Sequence, residues 1–65
     1  MKQADILITK SYLCKDGMTR IVVKISKDHV GIQGVEWKEP RRGNYPMSVG
    51  AMSLAAFAKL ATKLI

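Results

Sequence analysis

The spacing of apolar residues changes period once along this chain, and that change constrains the fold more than any other feature. Over residues 20–26 the pattern alternates, with Ile21, Val23 and Ile25 on one side and Arg20, Val22, Lys24 and Ser26 on the other. Successive side chains of a strand take opposite faces, so this stretch reads as a strand with an apolar face and a largely basic one. From Leu54 onward the apolar residues instead recur as Leu54, Phe57, Leu60, Ala61 and Leu64. That spacing draws one stripe along an amphipathic helix.

The strand-like part subdivides at its turn residues. Residues 5–13 are rich in β-branched and aromatic types, namely Ile6, Ile8, Thr9 and Tyr12, and read as a strand. Asp16-Gly17 then marks a hairpin. A second turn around Asp28 leads into residues 30–37, where Gly31 and Gly34 interrupt the run and suggest a bulge near Gly34. Residues 38–44 have the composition of a loop, and residues 45–49 form a short fourth strand with Pro46 confining it to an edge. Ser53 is the expected helix N-cap, with Ser48 as the alternative. The expected architecture is α+β: one domain over residues 1–65, a three- or four-stranded antiparallel sheet followed by one C-terminal amphipathic helix. One helix covers one sheet face and leaves the other free.

Size makes that fold marginal. Sixty-five residues bury only about 60% of the surface of the unfolded chain. Cys14 is the only cysteine and His29 the only histidine, so neither an internal disulfide nor a four-ligand structural zinc site can supplement the core. A homodimer or higher oligomer is the expected supplement. The alanine-rich helix offers a second face for it, and we expect Met52, Ala56, Leu64 and Ile65 at the contact.

The residues exclude more chemistry than they suggest. Asp28 and His29 are adjacent, so their side chains diverge and do not form a base with its orienting acid. Gly31 to Gly34 lacks the GK[ST] ending of a phosphate loop. No enzyme, cofactor or metal is expected. No apolar run reaches the length of a membrane span, nor does the N-terminus read as a signal peptide. The chain thus reads as a complete cytoplasmic protein without membrane partners.

What remains is charge. Eleven Lys and Arg against five Asp and Glu give a formal net charge of +6, which favours polyanionic partners. Lys10, Arg20, Lys24 and Lys27 are expected to neutralise phosphates from the sheet, and Arg41-Arg42-Gly43 from a loop. Tyr12, Trp37 and Tyr45 are the rings available to stack on bases. The leading expectation is a nucleic-acid-binding module, single-stranded DNA or RNA preferred. The alternative is a small protein–protein interaction module, such as phages encode against a host protein.

The second half also resembles a known family. Arg41-Arg42-Gly43, then Met47-Ser48-Val49, then the helix carrying Leu54 and Phe57, are similar to the end of the positive-cofactor-four transcriptional coactivator domain. The strand-like stretches 20–26 and 30–37 would correspond to its middle strands. The resemblance implies a curved four-stranded sheet with one helix, dimerisation through the helices and single-stranded DNA bound across the sheets. The early helix departs from the family pattern, with Leu54 where an aromatic is common and Gly50-Ala51-Met52 where polar residues or proline are usual.

Overall fold

Four local signals fold as their chemistry dictates. Gly17 takes a φ of +84°, open only to glycine at low cost, and closes the first hairpin through its N–H to the Cys14 carbonyl at 3.0 Å. At the second turn Asp28 Oδ1 accepts from the N–H groups of Val30 and Ile32, both at 3.0 Å, while Gly31 adopts φ +85°. Ser53 is the helix cap, its hydroxyl accepting from the Ala56 N–H at 3.1 Å. The helix itself begins at Leu54.

The computed structural model describes residues 1–40 and 47–65. Its strands are β1 (Ser11–Cys14), β2 (Thr19–Lys27), β3 (Gln33–Lys38), β4 (Val49–Ser53) and β5 (Ala61–Leu64), with helix α1 (Leu54–Leu60) between the last two. They form one antiparallel sheet in the order β4-β3-β2-β1-β5. The α+β class and the antiparallel sheet followed by a helix toward the C-terminus are as expected. The strand count is not: the sheet has five strands instead of three or four, and β4 runs Val49–Ser53 where residues 45–49 are the expected strand. Nor is the extent of the helix as expected. Its expected last turns are β5, which pairs with β1 through Tyr12↔Leu64 and Leu13↔Lys63. The helix stops because distant donors take its last carbonyls: Lys15 N–H reaches Leu60 O at 2.9 Å, and the Met1 amino group reaches Ala58 O at 2.9 Å. A cation at a helix C-terminus also suits the helix dipole.

The core lies between the helix and one sheet face. Phe57, Tyr12, Val22 and Val35 are fully enclosed, with Ile6, Leu54, Ala58 and Ala61 around them. Phe57 meets Tyr12 edge to face, ring centroids 5.7 Å apart. The Tyr12 hydroxyl donates to Asp5 O at 2.7 Å and accepts from Leu7 N–H at 2.8 Å, tying the N-terminal segment to the sheet. Residues 5–13 are accordingly not one strand. The chain turns at Thr9, whose φ is +72°, and pairs regularly only from Ser11.

A bulge decides which side chains enter this core. The β2–β3 register runs Ile21↔Lys38 and Val22↔Trp37, then skips Val23 and resumes at Lys24↔Glu36 and Ile25↔Val35. The expected bulge near Gly34 does not occur: Gly34 pairs in register with Ser26 and Ser53, and the extra residue is Val23 of β2, opposite Trp37 and Glu36. With the extra residue, Arg20 and Val22 face the core before the bulge and Ile25 after it. Ile21 and Lys24 lie on the open face. The expected split, with Ile21, Val23 and Ile25 opposite Arg20, Val22, Lys24 and Ser26, does not occur, because unbroken alternation cannot follow a two-for-one pairing.

Candidate nucleic-acid interface

The open face is assembled by register. From one end to the other, its cross-strand rows are Ser53-Gly34-Ser26, then Ala51-Glu36-Lys24, then Val49-Lys38-Ile21-Ser11, then Thr19-Leu13-Lys63. Lys24, Lys38 and Lys63 thus stand on three successive rows, with Glu36 the only acid among them. Lys24 and Lys63 are exposed and Lys38 is half-buried. Arg20–Asp16 is the single ion pair among the described residues, so none of these lysines is neutralised within it. Ile21, Val23, Val49 and Ala51 stand between the charges, and Ser11, Thr19, Ser26 and Ser53 add uncharged polar groups to the same face.

The residues expected at a binding surface divide sharply. Lys10, Lys24 and Lys27 are exposed. Arg20 and Tyr12 are not: Arg20 is 6% accessible and Tyr12 is fully enclosed. Tyr12 has spent both sides of its hydroxyl on the backbone and its ring on Phe57, so no base can stack on it. Trp37 is half-buried on the core face, its ring covered by the Arg20 guanidinium at 4.5 Å. Arg41, Arg42 and Tyr45 lie outside the described residues. Of the expected oligomer contacts, Met52 packs against the core, while Ala56, Leu64 and Ile65 are exposed.

Arg20 is instead the one buried charged side chain among the described residues, paired with an exposed Asp16. Its Nη1 and Nη2 donate to Asp16 Oδ1 and Oδ2 at 3.1 and 2.8 Å, a two-point fork, and Met18 Sδ lies 3.2 Å from Nη2. Arg20 Nε and Trp37 Nε1 are buried with no partner among the described residues. The cluster clamps the first hairpin turn to β3 through the indole. The fork holds the Asp16 carboxyl below its ordinary value of 3.8, helped by the Met18 N–H, and raises the Arg20 guanidinium. A carboxyl whose folded value is depressed stabilises the fold above its unfolded value, and that contribution is lost as pH falls through the folded one. The urea midpoint is therefore expected to drop on acidification below 3.8, and Asp16→Asn to flatten that drop. Parallel acid profiles for parent and variant would contradict it.

Sequence reasoning missed Lys38 and Lys63. Lys38 sits one residue past the expected end of its strand, where alternation from Glu36 would have placed it on the open face. Lys63 had no such signal, since its segment keeps helical spacing. Among the described residues, no helix is long and apolar enough to cross a membrane. Nor does any group of three or more His, Cys, Asp or Glu there stand ready to hold a metal ion. Compared with family models, curated proteins and solved structures, the chain matches none.

Proposed function

We propose that the protein is a non-enzymatic nucleic-acid-binding module that holds the phosphate backbone on its open sheet face, with a second copy as its structural supplement. The observation that supports this reading is the row-by-row placement of Lys24, Lys38 and Lys63 on a face that carries one acid. Lys10 and Lys27 extend the exposed positive charge, within a chain of net charge +6. The geometry favours backbone tracking over base recognition: Tyr12 is enclosed and Trp37 is capped by Arg20. Binding is then tolerant of sequence, and a preference for single strands has lost two of its three expected rings.

The test is a fluorescence titration of labelled single- and double-stranded oligonucleotides across a salt series. Each phosphate contact contributes roughly 0.7 to 0.9 to the slope of log K against log salt. Replacing Lys24, Lys38 and Lys63 together by Ala should lower that slope by about 2 to 3 and weaken all sequences alike. No binding at low salt ends the nucleic-acid reading, and an unchanged slope removes this face from it.

One observation favours a protein partner instead. At the β2–β3 hairpin tip Val30 and Ile32 are 66% and 58% accessible. The tip is pre-ordered by the Asp28 hydrogen bonds, which lowers the entropy cost of docking it. A pull-down that survives nuclease and moderate salt but fails with Val30→Ser and Ile32→Ser would support this second reading.

A further inference from the structure

The two edges of the sheet are guarded unequally. β5 carries Lys63, and its pairing with β1 shifts register between Leu13 and Cys14, an irregularity that disrupts a flat template. Charges and bulges of this kind are how sheets blunt an edge against strand addition. β4 has neither. Val49, Gly50, Ala51, Met52 and Ser53 carry no charge and no proline, and the strand pairs regularly with β3 along its whole length.

The geometry points to the outer edge of β4, unpaired among the described residues, as a seam for a second copy of this chain, antiparallel about a two-fold axis at Ala51. The inference deepens the expectation of self-association and is independent of nucleic-acid binding. The occupant follows from charge. With a net charge of +6 on each copy, association needs a contact free of lysines, and β4 is the edge that has none, whereas β5 would bring Lys63 to the seam. A two-fold pairing sets Ala51 beside the second copy's Ala51, Val49 beside its Ser53 and Gly50 beside its Met52. These side chains are small or apolar, and Val49, Ala51 and Ser53 are exposed on the single chain.

Two consequences follow. The sheets join into one continuous sheet, with both helices on the same side and both open faces on the other. In this arrangement the seam is made by β4 and not by the helices: α1 spans seven residues, and Leu54, Phe57 and Ala58 face its own core. The seam is short. A pairing of two five-residue strands is a small contact beside the roughly 1,200 Å² of a standard stable interface, so association is expected to depend on concentration.

The test uses the full chain and reads mass by analytical ultracentrifugation and native mass spectrometry. Ala51→Lys and Ala51→Glu each place like charges together at the two-fold axis. Each variant should be monomeric where the parent is dimeric, with self-association at least tenfold weaker. Mixing the two should restore a dimer containing one of each. Val49→Lys, at a position 72% accessible, is a second disruptor should Ala51 variants fold poorly by circular dichroism. A parent that stays monomeric at the highest soluble concentration overturns the inference. So does dimerisation unchanged in the folded variants, or a charged pair that fails to recombine. Oligonucleotide titration of the same samples reports separately on the nucleic-acid reading.

Discussion

Phe57→Ala is expected to remove most of the stability of this domain. The ring is fully enclosed and forms the edge-to-face contact with Tyr12 at the centre of the core. Deleting a buried phenyl group costs about 3–5 kcal/mol, through lost transfer energy and the cavity left behind. A chain of 65 residues has roughly 3–10 kcal/mol in total, at about 0.05–0.15 kcal/mol per residue. Urea or thermal melting followed by circular dichroism should show a midpoint lowered by tens of degrees or no folded baseline. Val30→Ala, at an exposed tip position, should by contrast change stability by less than about 0.5 kcal/mol. A Phe57→Ala protein melting within a few degrees of the parent would mean that the helix does not close this core.

Gly50→Ala is the second large effect, and its cause is steric. A Cβ at residue 50 would lie 2.5 Å from Trp37 Cζ2 and 2.8 Å from Cε2. Glycine here leaves the space that the indole fills, with Arg20 stacked on the ring. The substitution must push the ring off the strand and loosen the Arg20–Asp16 clamp, at about 1–3 kcal/mol for an overpacked site. Trp37 is the only tryptophan, so its emission reports this site alone and should shift to the red. In a Trp37→Leu background the same glycine change should cost little, since the clashing atoms are gone, and the double-mutant cycle measures the coupling. Equal midpoints and equal emission for parent and Gly50→Ala would show that the indole does not rest there.

The same cluster explains why charge alone misplaces a functional residue. Arg20 looked like a phosphate contact because it is a cation on an alternating strand. Its guanidinium instead finds a carboxylate four residues earlier and an aromatic face across the sheet. The open face holds lysines, which are compact, strongly hydrated charges, while the one described arginine is buried, where a planar fork loses less on desolvation. Lys24 and Lys27 are exposed, but Lys24 lies on the open face, opposite the side that Arg20 and Val22 take. Whether Arg41 and Arg42 join them is a question for the salt titration with those residues replaced.

Local chemistry was readable from the sequence by itself. Asp16-Gly17 and Asp28 made turns because their backbone preferences and short-range hydrogen bonds lie within a few residues. Ser53 started the helix for the same reason, and the switch from strand to helix followed the hydrophobic period. Tertiary structure decided the rest. Ala61 to Leu64 keeps helical spacing, yet the free edge of β1 and the donors of Lys15 and Met1, over forty residues distant in the chain, turn it into a strand. The bulge at Val23 sets the facing of β2, and it exists only in the pairing of two strands. Whether Tyr12 stacks on a base or fills the core depends on Phe57, which arrives from the far end of the chain. Preferences that act within a few residues are written locally. Those settled by competition between distant partners for the same backbone groups and the same buried volume are not.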